Sequence, residues 1–92
     1  MSIAETIREK IEKAISPELV EVKDESHLHA GHAGSRPGGE SHFRVRVVAA
    51  AFEGLSPVAR QRAVNAALKE ELAGPIHALA MTTLTPAEAA QD

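Results

Sequence analysis

Isoleucine recurs at every fourth position near the N-terminus, at Ile3, Ile7, Ile11 and Ile15. This spacing places the four side chains on one face of an α-helix and leaves charged residues on the opposite face. Ser2 is a suitable N-cap, and Ser16-Pro17 ends the pattern because a residue before proline is disfavoured in the helical conformation. The pattern therefore predicts an amphipathic helix that ends at about Ile15.

Two segments instead alternate between apolar and polar residues, from Leu19 to about Glu25 and from His42 to Ala50. A period of two is typical of half-buried strands. In the second segment the core-facing positions are Phe43, Val45, Val47 and Ala49. The opposite face carries His42, Arg44 and Arg46. The residues between the strands, 26–41, contain four glycines, a proline and three histidines, and they predict a long flexible loop.

The second half of the chain predicts a turn at Phe52–Leu55 and then a helix capped by Ser56, with Pro57 at its first position. The helix has a core stripe and ends at Gly74-Pro75; the stripe consists of Val64, Ala67, Leu68 and Leu72. The segment from Ile76 to about Leu84 predicts a third strand, and its apolar density favours a covered position. Thr85-Pro86 opens a short C-terminal helix that we expect to fray, leaving a tail of about residues 88–92.

This order of elements predicts an α+β fold, a two-layer α/β sandwich with a three-stranded sheet. The helix before the third strand acts as a crossover, so that strand is expected to pair in parallel with an earlier one. A chain of 92 residues is the length of one domain, and we assign residues 1–92 to it.

Composition narrows the chemistry that this domain can perform. Cysteine is absent, so thiolate ligands and thiol nucleophiles must come from a partner. The formal charge of −3 argues mildly against nucleic-acid binding, which usually needs an electropositive surface. No apolar run reaches the roughly 18–20 residues of a membrane span, and the N-terminus does not resemble a signal peptide. We therefore expect a cytoplasmic protein with no membrane partner.

The five histidines are the candidate metal ligands, because imidazole nitrogens suit zinc, copper and iron. His27, His29 and His32 cluster in the predicted loop. His77 stands where the third strand begins, on backbone that we expect to be rigid. Enzyme signatures such as a nucleophile elbow, a phosphate loop or a dinucleotide fingerprint are missing, and we expect no catalytic residues.

Four motifs together resemble the BolA family, and the resemblance runs from Ile3 to about Glu88. They are E-S-H-F at Glu40–Phe43, F-E-G-L-S-P-x-x-R-x-R at Phe52–Arg62, E-E-L at Glu70–Leu72 and I-H-A-L-A at Ile76–Ala80. The resemblance implies the BolA fold, similar to a class II KH domain without its G-x-x-G loop. It also implies a non-enzymatic partner of monothiol glutaredoxins that works in iron–sulfur cluster trafficking or iron regulation.

The same resemblance implies a [2Fe–2S] cluster shared with glutaredoxin and glutathione in a heterodimer, and no cofactor in the isolated chain, which we expect to be a monomer or weak dimer. The family's histidine ligand in the last strand matches His77. Its second ligand falls in the 26–41 loop, where this sequence departs from the simplest family pattern by offering three histidines. His29 is favoured, His32 is the alternative, and His27 comes third.

Two other readings remain open. A DNA-binding transcriptional regulator would use the KH-like fold and the basic residues Arg44, Arg46, Arg60, Arg62 and Lys69. A zinc-binding loop module would need the loop histidines but neither His77 nor glutaredoxin. His42 shares a strand face with arginines, and we favour a structural or surface role for it.

Overall fold

A computed structural model describes residues 2–25 and 42–91 of the chain. The predicted loop 26–41 with His27, His29 and His32 lies outside the described residues. The helices are α1 (Ile3–Ile15), α2 (Pro57–Ala67), α3 (Lys69–Ala73) and α4 (Pro86–Ala89), and a 3₁₀ turn covers Ala50–Phe52. The strands are β1 (Leu19–Asp24), β2 (His42–Val48) and β3 (Ala78–Leu84).

Helix α1 begins and ends where the sequence predicts. The Ser2 hydroxyl accepts a hydrogen bond from the Glu5 backbone N–H at 3.1 Å, which satisfies one of the free donors of the first turn. Ile7 and Ile11 are fully buried against the sheet. The apolar stripe thus anchors the helix to the core.

The sheet has the strand order β1-β2-β3, with β1 antiparallel to β2 and β2 parallel to β3. The predicted parallel crossover and the α+β class are therefore confirmed. Along β2 the side chains of Phe43, Val45 and Val47 are buried on the helix side, while Arg44 on the other face is exposed. The helices cover one face of the sheet, and the other carries β2's polar residues.

Strand β3 is an edge strand, so the prediction of a covered position is wrong. Its burial alternates, and Ala78, Ala80 and Thr82 are exposed. It also begins two residues later than predicted, at Ala78 instead of Ile76. On the exposed face the apolar residues of this strand are Ala78 and Ala80, whose small side chains leave little apolar surface open to water, while the larger Leu79 and Met81 lie on the half-buried face.

Two other boundaries differ from the prediction. Strand β2 ends at Val48, before the 3₁₀ turn that buries Phe52. The predicted second helix is divided at Leu68, whose φ of −108° and ψ of 19° depart from helical geometry. Leu68 is fully buried and its backbone N–H is shared between the carbonyls of Val64 and Asn65. Within the described residues, no helix is long and apolar enough to cross a membrane.

Candidate metal centre

His77 is an exposed imidazole on firmly held backbone. The preceding residue, Ile76, is buried and donates its backbone N–H to the Glu71 carbonyl at 3.0 Å. The following residue, Ala78, is the first of β3 and pairs with His42 on β2. His77 itself is exposed. The fold therefore fixes the position of this residue while leaving its ring accessible.

His42 lies beside it. It is the first residue of β2 and is half-buried, and its ring centroid is 5.9 Å from that of His77, with the ring planes tilted by 35°. Its carbonyl accepts the Glu25 backbone N–H at 2.8 Å. Sequence reasoning placed His42 on a polar strand face and did not connect it with His77. The signal that joins them is the parallel register between β2 and β3, which spacing along the chain does not reveal.

The segment that carries the other three histidines begins and ends at this same place. Glu25 and His42 flank residues 26–41 and are joined by the backbone hydrogen bond. Among the described residues, no group of three or more His, Cys, Asp or Glu side chains is placed to hold a metal ion. The described part of the candidate centre is thus the pair of imidazoles.

The basic residues of the DNA-binding reading do not form one surface. Arg44 is paired with Glu25 at 3.1 Å, and Arg46 is 4.0 Å from Glu21. These two arginines line an open groove of about 400 Å³ together with Arg8, Glu21, Val22 and Lys23. Arg62 and Lys69 are exposed, on α2 and at the start of α3.

The predicted set of DNA-contacting residues has to be corrected at Arg60, because this side chain is buried, only 9% exposed, and has a structural role. Its guanidinium donates to the carbonyls of Leu55 at 3.1 Å and Thr83 at 3.2 Å, and to the Glu88 carboxylate at 2.7 Å. Glu88 also accepts the Thr85 backbone N–H in a capping box that begins α4. Arg60 therefore ties α2, β3 and α4 together instead of facing a ligand.

This network predicts a measurable dependence of stability on pH. The hydrogen bond from Arg60, followed by that from the Thr85 backbone, lowers the pKa of Glu88 below its ordinary value of 4.5. A carboxylate with a lowered pKa stabilises the fold above that ordinary value, and the contribution is lost as the pH falls through the lowered pKa. Glu88→Gln is thus expected to reduce stability at neutral pH and to converge with the wild type in acid.

Urea denaturation between about pH 7 and about pH 3 measures that difference. Glu9→Gln is the matched control, since the Glu9 carboxylate pairs with the exposed Lys13 at 3.3 Å, and exposed pairs contribute little. A gap between Glu88→Gln and the wild type that stays constant across this range would contradict the assigned role of Glu88.

The family follows from the sequence and the fold. A family model described as BolA-like protein matches residues 11–88. The chain belongs to the BolA family. The resemblance carried by the four motifs is therefore confirmed.

Known BolA proteins agree in sequence and in structure. BolA-like protein 1 from Homo sapiens is 57% identical over 82 residues, which cover 89% of this chain and 57% of that protein. The chain thus spans little more than half the length of the curated relatives it matches first. The structure of BolA1 from Arabidopsis thaliana superimposes with a TM-score of 0.85 at 41% identity, covering 96% of both chains.

A bacterial BolA relative carries a different description. The DNA-binding transcriptional regulator BolA from Vibrio cholerae is 46% identical over 86 residues, which cover 94% of this chain and 77% of that protein. Relatives of one fold can differ in function, so the function of this chain has to be argued from its own site.

Proposed function

We propose that this chain is a non-enzymatic adaptor that binds a monothiol glutaredoxin and co-ligates a bridging [2Fe–2S] cluster through His77 and one histidine of the 26–41 segment. The observation that carries the proposal is the exposed His77 imidazole on fixed backbone, at the end of the sheet where that segment is attached. A ligand on a strand end and another on a connecting segment make a half-site that a partner can complete.

His29 is the favoured second ligand. It stands four residues after Glu25, and four extended residues span at most about 14 Å. Glu25 is hydrogen-bonded to His42, whose ring lies beside His77. The short stretch of chain between Glu25 and His29 therefore allows the imidazoles of His29 and His77 to bind the same iron. His32 and His27 remain the alternatives and stand seven and two residues after Glu25.

The donor set fits a cluster that is cargo shared between two proteins. Because the chain contains no cysteine, the thiolate ligands must come from the glutaredoxin and from glutathione. Neutral imidazoles in place of two thiolates make the cluster less negative and raise its reduction potential, as in Rieske centres. Histidine ligation also requires deprotonated rings, so assembly is expected to weaken in acid.

The proposal is tested by anaerobic co-purification of the chain with a monothiol glutaredoxin, glutathione and iron–sulfur cluster. We expect a brown heterodimer whose visible absorption and circular dichroism differ from those of the glutaredoxin homodimer. Single substitutions His27→Gln, His29→Gln and His32→Gln identify the second ligand, and His29→Gln is expected to have the largest effect. An unchanged glutaredoxin homodimer spectrum contradicts the proposal.

The second candidate function is DNA binding, which is favoured by the name of the Vibrio cholerae relative, a DNA-binding transcriptional regulator, and by the basic groove at Arg44 and Arg46. The acidic net charge and the buried Arg60 weigh against it. Binding to DNA would weaken steeply with salt and would survive His77→Ala. Cluster ligation, in contrast, would be lost in His77→Ala.

A further inference from the structure

The register between β2 and β3 sets two imidazoles side by side. His42 pairs with Ala78, the residue after His77, and its carbonyl is held by the Glu25 backbone N–H at 2.8 Å. Two residues before β3, buried Ile76 is held by the Glu71 carbonyl. Both histidines are thus positioned by backbone hydrogen bonds of residues that the structure describes.

From this geometry we propose that His42 and His77 together bind a divalent transition-metal ion of the zinc type in the chain without glutaredoxin. A metal–nitrogen bond of about 2.0–2.1 Å puts each ring centre about 3.2 Å from the ion. Two rings on one ion are then about 5.2 Å apart at the tetrahedral angle and about 6.4 Å apart at most. The observed 5.9 Å between the ring centroids lies between these limits.

The surroundings suit an open site instead of a closed structural one. His77 is exposed and His42 is half-buried, so water can fill the remaining coordination positions, as in zinc sites with fewer than four protein ligands. The carboxylate of Glu25, the residue whose backbone N–H donates to the His42 carbonyl, is engaged by Arg44 at 3.1 Å. Imidazole is a ligand that suits zinc, copper and nickel, and the pair therefore favours these ions over calcium or magnesium.

This inference goes beyond the proposed function but shares one residue with it. An ion held by His42 and His77 occupies the imidazole that the cluster requires. Zinc and cluster are therefore expected to exclude each other, and a zinc-loaded chain to form the heterodimer cluster more slowly. The zinc proposal and the cluster proposal can still be refuted separately, because zinc binding needs no glutaredoxin and cluster ligation needs no His42.

The experiment uses the full chain, free of any histidine tag, with His27, His29 and His32 all changed to Gln. Only His42 and His77 then remain of the five histidines. Calorimetric titration with zinc chloride is expected to show saturable binding of one ion per chain. In NMR spectra, the signals of the ring nitrogens of both histidines are expected to change on addition of zinc.

In the same background, His42→Gln and His77→Gln are each expected to weaken zinc binding by more than about tenfold, since perturbing even a supporting group costs that much. Amide NMR spectra verify that each variant is folded. The proposal is overturned if the variant without loop histidines binds no zinc, or if its affinity is unchanged by His42→Gln. In either case the heterodimer spectrum of the wild type still decides the cluster proposal.

Discussion

Phe52→Ala is expected to lower the free energy of unfolding by about 3–5 kcal/mol, the usual cost of deleting a buried aromatic side chain. Phe52 is 1% exposed and is among the largest fully buried side chains of the described core. It lies in the 3₁₀ turn, with the Arg60 guanidinium carbon 6.0 Å from its ring centroid. The loss is a large part of the total stability of about 5–15 kcal/mol that a small domain has.

Val58→Ala is the control, because Val58 is 55% exposed on α2. Its effect is expected to stay within about 0.5 kcal/mol. Urea denaturation followed by circular dichroism measures both variants under the same conditions. If Phe52→Ala costs no more than Val58→Ala, Phe52 is not the core residue that the structure describes.

Elements specified by neighbouring residues were predictable from the sequence. Helix α1 has its cap at Ser2, its apolar stripe and its stop at Pro17 within a short segment, and the structure reproduces all three. The same holds for the Ser56 cap of α2, whose hydroxyl accepts the Ala59 backbone N–H at 3.1 Å. Local signals of this kind act between residues a few positions apart, where sequence spacing translates directly into geometry.

Features that depend on the arrangement of elements were not predictable in this way. The open face of β3 follows from its edge position in the sheet. The break between α2 and α3 at Leu68 could not be predicted, because no proline or glycine marks it in the sequence. Arg60 reads as a surface cation because its partner Glu88 is 28 residues away and meets it only after α4 has folded back. The burial and the partners of such residues are decided by how the elements pack, and the spacing of residues along the chain does not show this.

The candidate site was half predictable for the same reason. His77 could be identified from its motif and from the strand signal beside it. His42 stands 35 positions earlier and becomes its neighbour through the parallel register of β2 and β3. The choice among His27, His29 and His32 lies outside the described residues and stays a prediction.

Replacing His77 with alanine is expected to abolish the heterodimer cluster spectrum and, in the variant without loop histidines, to weaken zinc binding by more than about tenfold, because the two proposals use the same imidazole. The measurements are visible circular dichroism of the anaerobic complex and zinc calorimetry of the isolated variant without loop histidines. Since the His77 side chain is exposed, stability is expected to change by no more than about 0.5 kcal/mol. A fold defect would therefore not account for the losses.

Two further variants separate the assays from each other. His42→Gln is expected to weaken zinc binding in the background without loop histidines while the heterodimer spectrum persists in the otherwise native chain. The variant lacking His27, His29 and His32 is expected to keep zinc binding and to lose the heterodimer spectrum, because no histidine is left in the loop to be the second ligand of the cluster. If His77→Ala leaves the heterodimer spectrum intact, the strand end is not a cluster ligand and the loop alone must supply the chemistry.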